Sequence, residues 1–425
     1  MFTSTTFGAD CDSIAIFECI SSPTYIVIMT TEELINREHE VIYQTYNRLP
    51  VAIDRAEGCR IIDVEGNEYL DMLSGIAVNA LGHSHPRIVE AVTNQAQRYM
   101  HISNFFYQEP QIRLAELLTA RTGYSKIVFS NSGAEAWEGA VKLARKWGTE
   151  HNKTGNIIAF YGVFHGRTYG ALSLMDKPLY KDGMGPFLPN TVVLPYNDSE
   201  QLRATVNDQT IAIGLEFVQG EGGISEATPE FVETIRQLQA QYGFLIIADE
   251  VQAGVGRTGD FFGFEQHNIK PDIVTMAKGI GGGLPLGALL ATEAMSHVWV
   301  KGQQGTTYGG NSLACVAGIV VMEELQNGVL ENVRAVGAYL RSALEDVQQE
   351  FSAYITEVRG RGLFLGLALT EDATRLRNAL LQRRVITNAT ATTVLRMVPP
   401  LVLTQQDVDV FITRLRESVI EVTSM

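Results

Sequence analysis

The sequence predicts an α/β protein, with a large domain on a mainly parallel sheet and a smaller α+β domain after it. Two patterns carry that prediction. Short apolar, β-branched runs at residues 126–130, 157–160, 191–194, 211–217, 244–248, 273–277 and 288–291 alternate with amphipathic stretches such as 134–149 and 229–242. Runs without polar alternation suit strands buried on both faces, as in a parallel sheet covered by helices. From Leu313 the pattern changes to helical periodicity over 313–325 and 329–351, then short strands at 354–358 and 363–369.

The expected organisation is a large domain over 76–312, a small domain over 313–425, and a segment over 29–75 that packs with the small domain. Residues 1–28 contain no Lys or Arg, and Glu18, Ser21, Ser22 and Pro23 break their apolar clusters. That composition fits neither a secretory signal nor an Arg-rich transit peptide. The expectation is a disordered or non-native extension, with Met29 as the natural start. Thr30-Thr31-Glu32-Glu33 then reads as a capped helix start.

Composition excludes some function classes. A net charge of −15 over 425 residues repels phosphates from most of the surface, which argues against nucleic acid as the main partner. No apolar stretch approaches the ~20 residues needed to span a bilayer, so no membrane segment is expected. The four cysteines, Cys11, Cys19, Cys59 and Cys315, lack the spacing of a zinc site or a disulfide framework, which suits a reducing cytoplasm. His83-Ser-His85-Pro86 has no nearby acid or thiol cluster to complete a metal shell, and no metal is expected.

Chemistry gathers at the ends of the apolar runs. Residues 244–248 lead directly into Asp249-Glu250, and open α/β sheets bind ligands at the carboxyl ends of their strands. Asp249 alone also reads as a loop residue or helix cap. The run 272–277 ends in Lys278, followed by Gly279-Ile-Gly281-Gly282-Gly283. A lysine between a buried strand and a glycine run is partly desolvated, which lowers its pKa and frees a nucleophilic amine. A snorkelling surface lysine beside a turn has the same sequence pattern. Together the two residues say more: a carboxylate for a pyridine nitrogen and an amine for a carbonyl are what pyridoxal phosphate needs as an electron sink.

Here the sequence resembles the class III aminotransferases, in Asp249-Glu-Val-Gln252-Ala-Gly-Val-Gly-Arg-Thr-Gly259 and in the Lys278 segment, over nearly the whole chain after Met29. The resemblance implies fold type I of the pyridoxal-phosphate enzymes, attachment of the cofactor to Lys278 and pairing of its ring nitrogen with Asp249. Ser132, Gly133 and Ala134, which follow a strand and open a helix, match the phosphate-binding segment; helix N-termini favour anions. By the same resemblance Phe164 stacks on the ring, Gln252 donates to its phenolic oxygen, and Thr307 reaches the phosphate of a neighbouring subunit. A homodimer with shared sites follows.

The resemblance also implies the substrate contacts. Arg167 matches an arginine that grips the carboxylate remote from the reacting amine, and Tyr46 matches a tyrosine that assists it. Glu221 and Arg396 match a switch pair, in which masking the arginine admits a neutral carbon and unmasking it admits the α-carboxylate of 2-oxoglutarate or glutamate. A structural ion pair between domains is the competing reading of those two residues. Phe217 stands where the family commonly has proline, and Thr306 where serine is commoner. Within the family, residues 73–83, 385–388 and 396–401 look most like the acetylornithine aminotransferases. An N2-acylornithine donor is therefore expected, with 4-aminobutyrate or ornithine as alternatives and an aminomutase as a more remote one. Gly254-Val-Gly256-Arg-Thr-Gly259 matches a dinucleotide fingerprint only formally, because no helix pattern follows it.

Overall fold

The computed structural model describes residues 29–424. The expectation for residues 1–28 lies outside them. The chain divides into two compact units, one ending at Ala52 and the other spanning Ile53–Met425. In the first, helix Thr31–Val41 begins on a capping box: the Thr30 hydroxyl accepts from Glu33 N, and the Glu33 carboxylate accepts from Thr30 N. The expected helix start is there, one residue after Met29.

The second unit is organised around a seven-stranded sheet in the order Lys126–Ser130, Gly287–Ala291, Ile273–Met276, Leu245–Asp249, Ala212–Leu215, Ile157–Phe160, Thr191–Leu194. Gly287–Ala291 is antiparallel to both of its neighbours, and the other pairings are parallel. Side-chain parity explains why these strands have no polar face. Ile157, Ala159, Ile247 and Ile273 pack with Trp137, Ala140 and Ala144 of helix Gly133–Glu150. Ile158, Phe160, Ile246 and Val274 face the other way, toward Phe231, Ile235 and Leu238 of helix Pro229–Tyr242. Both faces are thus covered, as the continuous apolar runs require.

Further sheets flank this one. Ile355–Arg361, Phe364–Leu369, Val394–Met397 and Asn388–Thr390 form an antiparallel sheet. Ile53–Glu57, Arg60–Asp63 and Glu68–Asp71 form a meander whose last strand takes up Val385–Ile386 in parallel. The expected division at residues 75 and 312 differs from this arrangement in two respects. Residues 29–52 belong to a unit of their own, and pairing with the C-terminal region resides in Glu68–Asp71. Helix Ser312–Glu324 packs against Pro86–Arg98 and Glu109–Thr122, inside the expected large domain, because it is apolar on nearly every side.

The same helix corrects the expectation about membrane-spanning length. With the turn at 325–329 and helix Leu330–Glu350 it forms a 39-residue run, apolar enough by length and composition to cross a bilayer in one window, half of which is buried within the fold. Asn327 and Gly328 kink the run, Gly328 at φ +110°.

One tight contact in the main sheet reaches the site. A methyl group at Gly214 would stand 2.5 Å from the ring of Trp137. Gly214→Ala is therefore expected to displace that indole and destabilise the protein by about 1–3 kcal/mol. Denaturant unfolding checks this; an unchanged midpoint would show that the contact has slack.

Candidate active site

The carboxyl ends of the parallel strands converge on a cleft of about 410 Å³ lined by, among others, Ser132, Phe164, Arg167, Asp249 and Lys278. They arrive from four strand ends, Phe164 and Arg167 sharing the loop after Ile157–Phe160, so residues far apart in sequence share one cavity.

Lys278 follows strand Ile273–Met276 and opens a short 3-10 turn before Gly282 and Gly283, both at positive φ. Lys278 itself adopts φ +49°, a conformation that costs an L-residue roughly 1–2 kcal/mol. Such strain persists where surrounding structure dictates the position, commonly at functional sites. Burial holds the Lys278 ammonium down at about 8; the Arg396 charge acts in the same direction, and Glu221, Glu216 and Asp249 oppose it.

Asp249 ends strand Leu245–Asp249 and is 3% exposed. A buried carboxylate needs donors, and it has two: His165 Nδ1 at 2.6 Å and the backbone N–H of Val251 at 3.1 Å. The imidazole of His165 stacks on Trp137 at 3.5 Å with 9° between the planes. Its other nitrogen, Nε2, is buried without a hydrogen-bond partner.

Ser132 caps helix Gly133–Glu150, its hydroxyl accepting from Glu135 N at 3.2 Å. Ser132, Gly133 and Ala134 all line the cleft, so the positive end of an 18-residue helix faces it. Added side chains would fill this cradle. A Cβ on Gly166 would meet that of Ala134 at 2.5 Å, and one on Gly133 would meet Val251 at 2.7 Å. The donor set fits pyridoxal phosphate: an anion site at a helix N-terminus, a buried carboxylate for a ring nitrogen, and a desolvated amine for an aldehyde carbon.

Arg396 lies in strand Val394–Met397 of the antiparallel sheet and is fully buried. Its Nη1 meets Glu221 Oε1 at 2.6 Å and Gln252 Oε1 at 2.9 Å, while Nε donates to Asn388 Oδ1 at 3.0 Å. Burial pushes the Glu221 carboxyl up, but Arg396 more than offsets this and leaves it below its ordinary value. The carbonyl end of the Gln252 amide is taken by Arg396, leaving the NH2 end as its donor.

Two further predicted residues are exposed. Thr307 is exposed and does not line the cleft; its neighbour Thr306 reaches Asn131 and Glu135 beside the helix start. Tyr46 belongs to the first unit, where it is exposed and Arg48 lies over its ring at 5.3 Å. The remaining motifs have local roles. His83 Nε2 pairs with Asp71 Oδ2 at 2.7 Å, and residues 251–262 form consecutive turns rather than a Rossmann helix.

Sequence reasoning missed two buried groups. His165 lies between the predicted Phe164 and Arg167, but its stacking partner Trp137 comes from another element. Glu216 stands inside the run 211–217, directly after apolar Leu215 as Asp249 stands directly after Ala248. It is 3% exposed and accepts backbone N–H groups from Phe164 at 3.1 Å and Gly220 at 3.4 Å. Burial, reinforced by Asp249 nearby, pushes its carboxyl well above the usual range.

Residues 41–419 match the family described as Aminotransferase class-III. The chain belongs to the class III aminotransferases. The family depends on pyridoxal phosphate, so the enzyme is a pyridoxal-phosphate-dependent transaminase of fold type I. It is 44% identical to the acetylornithine aminotransferase of Caldanaerobacter subterraneus subsp. tengcongensis over 380 residues, 88% of this chain and 96% of that protein. Among solved structures it resembles an ornithine aminotransferase from Toxoplasma gondii ME49, with TM-score 0.89, 29% identity and coverage of 93% of this chain and 96% of that one. It also resembles the acetylornithine aminotransferase from Elizabethkingia anophelis, with TM-score 0.83, 33% identity and coverage of 92% and 99%.

The lowered pKa of Lys278 gives the transaminase a pH signature. Below about 8 the amine is protonated and unreactive, and above it the free amine predominates. Capture of pyridoxal phosphate by cofactor-free protein, followed by visible absorbance, is expected to accelerate as pH rises through about 8 and then level off. A rate flat between about pH 6.5 and 9.5 would contradict a desolvated lysine as the capturing group.

Proposed function

We propose that this enzyme moves the terminal amino group of an N2-acylornithine, with acetylornithine as first choice, to 2-oxoglutarate. The products are the corresponding semialdehyde and glutamate, and the reaction serves arginine biosynthesis. The observation that carries this reading is the contrast between two arginines: Arg396 is masked by Glu221, whereas Arg167 has no ion pair among the described residues. Arg167 receives the donor's remote carboxylate, and Arg396, once Glu221 withdraws, receives the α-carboxylate of the acceptor. Acetylornithine aminotransferases at 39–44% identity support the donor assignment. The resemblance adds Ile76, which stands where ornithine aminotransferases usually carry a tyrosine; a nonpolar residue in that position suits an acyl-capped donor better than free ornithine. The Toxoplasma structure favours ornithine as the second reading.

Bound pyridoxal phosphate supplies the electron sink that stabilises charge at the carbon losing its proton. The chain does the rest. Asp249, held by His165 and the Val251 N–H, would pair with the ring nitrogen. The helix start at 132–134 would hold the phosphate, Phe164 the ring, and the Gln252 NH2 the phenolic oxygen. Lys278 Nζ would carry the cofactor, and as a free amine it would move the proton at the carbon bearing the donor's amine.

The working unit in this reading is a cytoplasmic homodimer. Thr307, exposed in its own subunit, serves the neighbouring site. Exposed Phe105, Phe106 and Tyr107 offer apolar area for a second copy, and buried free Cys59 and Cys315 suit a reducing compartment.

A donor panel with 2-oxoglutarate decides the substrate: acetylornithine is expected to give the highest kcat/KM, and preference for ornithine or 4-aminobutyrate would overturn the assignment. Lys278→Ala is expected to abolish turnover, and borohydride reduction of the wild-type enzyme to leave the cofactor on Lys278 by mass spectrometry. Arg396→Leu is expected to slow the 2-oxoglutarate half-reaction more than the donor half-reaction; equal losses would remove the switch.

A further inference from the structure

Arg167 and Arg396 carry the same charge at one site and are held by opposite means. Arg396 is buried among Glu221, Gln252 and Asn388, which accept from its Nη1 and Nε. Arg167 is exposed, and its guanidinium lies over the ring of Tyr180 with Cζ 3.5 Å from the centroid, and over Phe164 at 5.6 Å. An aromatic face attracts a guanidinium without consuming its in-plane N–H groups, whereas a carboxylate partner neutralises it and takes those donors.

Tyr180 is itself held in place. Its ring stands edge-on to Phe164 at 6.2 Å and 89°, and its hydroxyl accepts from Lys177 Nζ at 3.0 Å. The loop that carries it is anchored to the same wall of the cleft. Asp176 Oδ1 accepts the N–H of Gly162, just before Phe164, at 3.1 Å, and Leu188 N donates to Ser173 Oγ at 2.9 Å. Arg167 lines the cleft and Tyr180 lies against its guanidinium, so the ring's route to the cleft is through that side chain.

We propose that Tyr180 is a specificity-determining positioning residue. It holds Arg167 with its donor fork open, so that the enzyme prefers amine donors bearing a carboxylate remote from the reacting amine. The inference rests on the reading of Arg167 as the donor's carboxylate receptor. A stacked arginine is pre-organised, so binding a carboxylate orders less of its side chain; without the ring the flexible arginine loses that advantage.

The test compares full-length holoenzymes Tyr180→Leu, Tyr180→Phe and Arg167→Leu with wild type. The donors are acetylornithine and a primary alkylamine without a carboxylate; where the alkylamine is slow, single-turnover bleaching of the cofactor band replaces steady-state rates. Tyr180→Leu is expected to raise KM for acetylornithine roughly three- to thirtyfold. It should leave kcat and the alkylamine rate near wild type. Tyr180→Phe, which keeps the ring, should behave as wild type, and Arg167→Leu should lose acetylornithine more severely. If Arg167→Leu is damaging and Tyr180→Leu is not, Tyr180 has no such role and the reading of Arg167 stands. If Arg167→Leu leaves acetylornithine unaffected, that underlying reading fails and takes this inference with it. Equal losses on both donors, or Tyr180→Phe as impaired as Tyr180→Leu, would also overturn it.

Discussion

Asp249 is a carboxylate at the end of a strand buried on both faces, and a charge in that place needs hydrogen bonds to persist. His165 supplies the closest of them, at 2.6 Å, and can do so because its ring lies flat on Trp137. Trp137 in turn fits against the sheet because residue 214 has no side chain in its path. A chain of contacts therefore runs from a glycine in one strand, through an indole on a helix and an imidazole in a loop, to the carboxylate at the end of the neighbouring strand. The cleft depends on that chain because its floor is charged and its walls are packed hydrocarbon.

The turns following Asp249 extend this coupling to the antiparallel sheet. Gln252 accepts from Arg396, and Arg257 donates to the carbonyls of Leu363 and Pro399. Arg257 is 2% exposed, and burial lowers its guanidinium to about 9. One short segment thus joins the carboxylate under the cleft to the strand that carries Arg396. Glu216 does similar work on the other side, bonding Phe164 in the wall and Gly220 next to Glu221. The segment carrying Glu221 is therefore tied to the wall of the cleft through one carboxyl group.

Much of this was legible in one dimension. Strands buried on both faces leave a continuous apolar run, and each of the seven runs falls on a strand of the main sheet. The meander at 53–71 left a weaker signal, because its exposed strand Ile53–Glu57 is largely polar. Helix Ser312–Glu324 packs against Pro86–Arg98 and Glu109–Thr122, which its sequence does not specify. Its periodicity shows that it is a helix, but an apolar surface on all sides does not say which neighbours cover it. The glycine-rich turns 251–262 read as a connection, and nothing local to them announced that Arg257 would be buried.

Local chemistry determined which residue types stand at which strand ends: Asp249 after one apolar run, Lys278 after another, Ser132 at a helix start. Those assignments follow from hydrophobic period and capping preference, which act within a few residues. Only the tertiary structure decided pairings such as His165 on Asp249, Trp137 on His165 and Tyr180 under Arg167. Each joins segments distant in the chain through contacts of a few ångströms, set by packing of the sheets and helices between them. The charge on a side chain is written in the sequence; whether that charge is neutralised, masked or left open to a ligand depends on what the fold places beside it.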